Sequence, residues 1–333
     1  ARHALGRERL EEEVEGVDLE RLERAVRPML RFKPGGACPP TRDRMFRIEV
    51  PHDTATVLAD CAERGLVQSW QGRSGSRRAP GPRRWHVRWP ERPGTLAVTE
   101  SAGGAVLSLG GPRDPGWVRG LAHRVARRLA DDAESAAGRV VTSRPRALVV
   151  VHDPPLERSG DRRLGREMGW NAVDTLVRDY VADVARASHG TVRYEIVGWR
   201  DAAWWPPKAD GFRYTAHEYV RAWRARDMHQ PDAIDRAAQV RAHDLVGLWE
   251  RDEMDECWVF SMPYAGDNES SMVGRGSFWC NSPPVEGFEG CAGRFVMMGF
   301  NYERDVGCML ENLGHRVEST MQRLWRQSLA DEN

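Results

Sequence analysis

Residues 294–326 constrain the fold more than any other stretch. Residues 294–300 (RFVMMGF) carry a continuous apolar run of strand length. A polar corner follows, made of Asn301, Tyr302, Glu303, Arg304 and Asp305, with Asp305 placed to cap a helix. Val306, Leu310, Leu313, Val317, Met321 and Leu324 then recur at helical spacing as one apolar stripe. Glu311, His315, Glu318 and Gln322 share the opposite face. A buried strand that feeds an amphipathic helix through a short turn is the building unit of an α/β sheet.

The same alternation runs upstream. Residues 147–151 are apolar and end in His152 and Asp153. A helix is expected over 172–187, a strand over 191–199, helices over 216–225 and 232–250, a strand over 256–264 and a long loop over 265–293. This order predicts an α/β unit with a mostly parallel sheet. Ahead of it lie strand patterns near 45–50, 66–70, 84–89, 95–99 and 105–109, and helices over 54–64 and 114–130. These predict a small α+β domain with an antiparallel sheet. The expected division is a frayed tail at 1–16, an α+β recognition-type domain at 17–130 opening on a helix at 18–30, a linker at 131–146 and an α/β catalytic-type domain at 147–333.

Charge supports that division. Residues 1–146 hold 27 Lys+Arg and 19 Asp+Glu, and residues 147–333 hold 22 and 30, so a neutral chain splits into halves of +8 and −8. Lys33 and Lys208 are the only lysines, so an Arg-rich segment reflects coding bias before it reflects a demand for bidentate donors. No apolar run approaches the length of a membrane span, and no membrane partner is expected. The first residues do not resemble an export signal, which favours the cytoplasm. The chain starts at Ala1 rather than at Met, which leaves export open.

Ligands of open parallel sheets gather at the carboxyl ends of strands. The expected strands end in His152 and Asp153, in Arg200 and Asp201, and in Asn301 and Glu303, with Glu269 a few residues past the third strand. Glu303, Glu269 and Asn301 are therefore the catalytic candidates. On the last helix Glu311 and His315 stand four apart, within reach of one metal ion, and Glu318 lies a turn beyond. The plain alternative is a solvated pair worth a few tenths of a kcal/mol. At 1.5 Å per residue, His315 lies about 15 Å along the helix from Asp305, so it does not easily join the strand-end cluster, and only one of the two sites is expected to hold unless the sheet order is closer to zincin geometry than to a doubly wound fold.

Other features bear on partners. Arg73, Arg77, Arg78, Arg83, Arg84, Arg88 and Arg92 interleave with Trp85 and Trp89, a pattern that suits single-stranded nucleic acid or an acidic partner. A solvated hairpin is the favoured alternative. Trp204 and Trp205 beside two prolines suit a stacking platform for a peptide or glycan, or a packed cover on a core edge. Cys280 and Cys291 flank a loop and are expected to be free buried thiols rather than a disulfide. Cys280 with His152 or His315 is a weaker candidate for a thiol nucleophile. No GxSxG elbow, P-loop or GxGxxG after a strand occurs.

Two local resemblances follow from these residues. The stretch ENLGH, 311–315, resembles a departed form of the HExxH motif of zincin metalloproteases. Glu311 and His315 take the places of the two His ligands, and Asn312 takes the place of the general base. The resemblance implies a divalent metal such as zinc on Glu311, His315 and Glu318, with Glu303 or Glu269 as base. GFNYER at 299–304 and GHRVES at 314–319 also resemble a C-terminal stretch of a bacterial family with no established activity. Together these features point to a hydrolase, metal-assisted and peptidase-like. The alternative is a binding or signalling protein that uses the basic first domain.

Overall fold

A computed structural model describes residues 46–331 apart from 76–79, 112–114 and 157–161. The helix expected over 18–30 lies outside the described residues, as do Arg77 and Arg78.

The first half is a meander of short strands. β1 (Arg47–Val50) leads to α1 (Thr54–Glu63), then to β2 (Val67–Gly75), β3 (Pro80–Arg88), β4 (Leu96–Ser101), β5 (Gly104–Leu109) and α2 (Trp117–Ala136). Asp53 starts α1 by accepting a hydrogen bond from the Thr56 N–H at 2.8 Å. The sheet order is β1-β5-β4-β3-β2, and every pairing is antiparallel. Alternation decides what β3 buries. Trp85 and Val87 face the core, with Trp89 just beyond the strand, whereas Arg84 and Arg88 face outward.

The second half supplies β6 (Arg146–Val151), α3 (Leu164–Met168), α4 (Val173–Ala187), β7 (Glu195–Asp201), α5 (Ala216–Ala225), α6 (Arg236–Ala242), α7 (Leu245–Glu250), β8 (Glu256–Ser261), β9 (Ser270–Gly274), β10 (Arg294–Asn301) and α8 (Val306–Asp331). Its sheet order is β7-β6-β8-β10-β9. β6, β7, β8 and β10 run parallel, and β9 lies antiparallel on β10. The α/β class is as expected, with one antiparallel and one mostly parallel sheet.

Both faces of the parallel sheet are covered, which is why its strands read as unbroken apolar runs. Ala147, Val149 and Val151 join one buried cluster with Trp258, Phe260, Met298 and Phe300. Leu148 and Val150 join the other with Cys257, Val259 and Met297. That second cluster continues into Leu96, Val98, Leu107, Trp117 and Leu121.

Two expectations change. The helix expected over 232–250 is two helices, because Asp244 adopts a left-handed conformation (φ 48°) between them. Aspartate tolerates that region better than most residues. The loop expected over 265–293 contains β9, all five residues of which are buried. The apolar stripe of α8 is covered only over its first half. Met309 is buried and Leu310 and Leu313 pack on the sheet, whereas Val317, Met321 and Leu324 are exposed.

α2 and the segment after α7 are in close contact. Arg124 donates to the Trp249 carbonyl at 2.6 Å and lies over the Trp249 ring at 3.9 Å. Arg146 donates to Asp252 at 2.8 Å and to Asp255 at 2.9 Å. A Cβ on Gly120 of α2 would meet the Glu250 carbonyl oxygen at 2.0 Å. Gly120→Ala is therefore expected to destabilise by about 1–3 kcal/mol, as overpacking does. The same change at Gly314, where nothing lies within 4 Å, is expected to stabilise by about 0.5–1 kcal/mol through helix propensity. Urea denaturation of both variants checks the pair, and equal signs would refute the close-approach argument.

Candidate active site

A cavity of about 330 Å³ opens at the carboxyl ends of β8 and β10, beside the first turns of α8. Its wall includes Ser261, Asp267, Glu269, Asn301, Arg304 and Glu311. The loop between β8 and β9 packs tightly on β10, because a Cβ on Gly299 would meet the Asn268 carbonyl oxygen at 2.2 Å. Asp305 accepts from the Gly307 N–H at 3.0 Å and so caps α8, which fixes the direction of the helix past the cavity. Asn312 holds the next turns by donating to the Gly299 carbonyl at 2.9 Å.

Glu269 immediately precedes β9, and its carbonyl accepts from the Gly299 N–H at 3.0 Å. That placement turns its side chain toward α8. His315 Nδ1 lies 2.7 Å from Glu269 Oε2. The Asn281 amide donates to the same oxygen, and the Asn281 backbone N–H donates to Ser319 Oγ at 3.1 Å. The hydrogen bond and charge of Glu269 hold the His315 imidazole above its usual range, with Glu318 and Glu311 adding to the effect. Glu269 and His315, far apart in the sequence, are therefore in direct contact. The antiparallel turn of β9 removes the separation that helix length alone implies.

The other candidates fall as follows. Asn301 lines the cavity, and its Oδ1 accepts from the Glu303 N–H at 2.9 Å. Glu303 is exposed, lies outside the cavity wall and faces Arg304 at 3.4 Å. Glu311 is on the cavity wall, and Glu318 is exposed a turn past His315. Among the described residues no group of three or more His, Cys, Asp and Glu side chains is arranged to hold a metal ion.

The remaining strand ends form separate arrangements. Asp153 accepts from the Gly165 N–H at 2.8 Å, and burial raises its carboxyl above the usual range. Asp201 pairs with Arg163 at 2.8 Å. His152 is fully buried, edge-on to Trp204 and 3.4 Å from the Gln239 amide nitrogen. His243 stacks on Trp204 and also lies edge-on to His152, with the two imidazole centroids 6.0 Å apart. Burial lowers both imidazoles; that of His243 falls to about 4, helped by the charges of His152 and Arg200. Arg236, Gln239 and His243 are three and four residues apart on α6 and its end, a buried polar face. That spacing is the sequence signal that identifies the cluster.

Partner candidates are also placed. Trp85 and Trp89 are core side chains, 7% and 1% exposed, and so offer no stacking face. Arg84 donates to the Leu109 carbonyl, and Arg92 pairs with Glu250 at 2.6 Å. Trp204 and Trp205 pack on His152, Tyr214 and Tyr219 as a cover. Cys280 and Cys291 are free and buried in different clusters. Cys280 contacts Ser270 at 3.6 Å. No helix among the described residues is long and apolar enough to cross a membrane.

No family model, no curated protein and no solved structure matches this chain.

Proposed function

We propose that this protein is a hydrolase in which His315, oriented by Glu269, is the general base. The observation that carries the reading is the 2.7 Å contact between His315 Nδ1 and Glu269 Oε2 at the cavity edge. A carboxylate on Nδ1 fixes the ring and leaves Nε2 for a water proton. That water attacks an acyl carbon, and the imidazolium returns the proton to the leaving group. Glu269 stabilises the imidazolium and is itself steadied by Asn281. Asn301 and Arg304 are the wall donors for the oxyanion that develops.

The base form of a raised imidazole exists only above its pKa. Hydrolysis is therefore expected to rise with pH through a midpoint above the usual 6.5 or so for histidine. His315→Ala is expected to lower kcat/KM on a panel of aryl esters and peptide amides by about 10²–10⁴-fold. The melting temperature should hardly move, because the side chain is part exposed. An unchanged rate in His315→Ala, or no turnover by the wild-type protein, would remove the reading. A rate lost to chelation and restored by zinc would instead assign Glu311, His315 and Glu318 to a metal.

A further inference from the structure

We propose that Tyr264 is the aromatic face of the cavity, on which a planar aromatic ring of the substrate stacks. This rests on the hydrolase reading of the same site and adds its substrate class.

Tyr264 stands in a backbone conformation that a bulky side chain rarely adopts. Residues 262–265 follow β8 and make a tight turn, closed by the Ala265 N–H donating to the Met262 carbonyl at 3.1 Å. Pro263 takes the second position and Tyr264 the third, where φ is 57°. A turn with proline second and a positive φ third ordinarily carries glycine or asparagine in that place. Among the described residues the other left-handed positions outside glycine belong to His189, Arg226, Asp244, Asp252 and Asn281. Histidine, aspartate and asparagine tolerate that region, and Arg226 ends helix α5. Neither reason applies to Tyr264.

Buried donors hold the turn in place. Tyr219 Oη donates to the Pro263 carbonyl at 2.8 Å. Lys208 Nζ donates to the Tyr264 carbonyl at 2.6 Å and to Asp232 at 2.7 Å. The Lys208 side chain is 2% exposed, although lysine is among the residues least often buried. The Ile234 N–H donates to the Gly266 carbonyl at 3.1 Å. A strained turn that is over-determined in this way is characteristic of ligand contacts.

What the turn presents is the tyrosine, 49% exposed and on the cavity wall. Trp223 lies 6.0 Å from it, centroid to centroid, with the ring planes inclined at 63°. The tyrosine is therefore propped by Trp223 without being stacked on it. An aromatic group of the ligand suits such a ring, because paired rings attract beyond the area they bury. The cavity, at about 330 Å³, is at the small end of ligand pockets.

The test uses the full-length wild-type protein and two ketones with no hydrolysable bond, benzylacetone and its saturated cyclohexyl analogue. Titration calorimetry is expected to show benzylacetone binding about 3–10-fold more tightly. Tyr264→Phe should keep that preference and Tyr264→Asn should abolish it. Tyr264→Asn is also expected to hold or raise the melting temperature, because asparagine relieves the left-handed strain. Equal affinity for the two ketones, no binding of either in the millimolar range, or a preference untouched by Tyr264→Asn would each overturn the proposal. So would a lowered melting temperature in Tyr264→Asn, which would make the Trp223 contact the reason for the tyrosine. Wild-type protein that hydrolyses phenyl and cyclohexyl esters alike would overturn the aromatic preference while leaving the His315–Glu269 pair standing. An aromatic preference in binding without any hydrolysis would do the reverse.

Discussion

Arg316→Met is expected to destabilise the fold by about 3 kcal/mol or more, toward the 3–5 kcal/mol that follows when one partner of a buried ion pair is removed. Arg316 Nη1 lies 2.6 Å from Glu256 Oε2, and the Glu256 side chain is 4% exposed. Glu256 also accepts from the Trp258 indole N–H at 2.6 Å. Burial opposes the charge on Arg316, but Glu256 beside it outweighs that effect and raises its pKa. Methionine fills the volume and strands the carboxylate without a counter-charge, leaving the Trp258 indole and the Tyr194 side chain to serve it. The arginine side chain keeps 22% of its surface exposed, so the lower end of the range applies. The double variant Arg316→Met, Glu256→Gln should recover much of the loss, because no unpaired charge remains. Urea midpoints of the three proteins decide the matter. A single variant within 1 kcal/mol of wild type, on the scale set for surface changes, would show that the pair is solvated.

Acid should weaken the protein well above the carboxylate range. His243 titrates near 4 in the fold, below the 6.5 or so of an unfolded chain. Between those values the unfolded chain binds a proton that the folded protein refuses, so stability falls as pH falls. The full difference corresponds to about 3 kcal/mol, reached near pH 4. His152 shifts in the same direction. His243→Phe retains a ring to stack on Trp204 and removes the proton site. Its stability should therefore change less between pH 7 and pH 4.5 than that of the wild type, by about 2 kcal/mol. Denaturant titrations at the two pH values measure this, and parallel losses in both proteins would refute it.

Much of the second half is legible from pattern because burial on both faces leaves strong signatures. The runs at 147–151 and 294–300 could hardly be anything but interior strands. β9 escaped notice for the opposite reason: its sequence is SSMVG. Its serines are satisfied inside the protein, Ser270 by the Cys280 carbonyl and Ser271 by Ser282. A polar strand whose partners come from a distant loop has no local pattern. The candidate site follows the same logic. Glu269 and His315 each stand out as reactive residues. Their contact does not, because it depends on the turn that β9 makes. The Arg–Trp alternation at 83–89 shows the converse. Period two places Arg84 and Arg88 on the face opposite Trp85 and Trp89, so a pattern suggestive of binding is an ordinary half-buried strand.

The uneven cover on α8 bears on how the helix breathes. From Met309 to Arg316 it is tied down by packing, by the Asn312 hydrogen bond and by the Glu256 ion pair. Beyond that, Val317, Met321, Leu324 and Trp325 are all more than half exposed. Amide exchange should therefore run as a gradient, slow through Asn312 and progressively faster past Val317, because distal turns can open without disturbing the core. His315 sits where the two regimes meet. Its ring is positioned less by the helix than by Glu269, and a substrate that engages Glu269 would also set how far the opening travels up the helix.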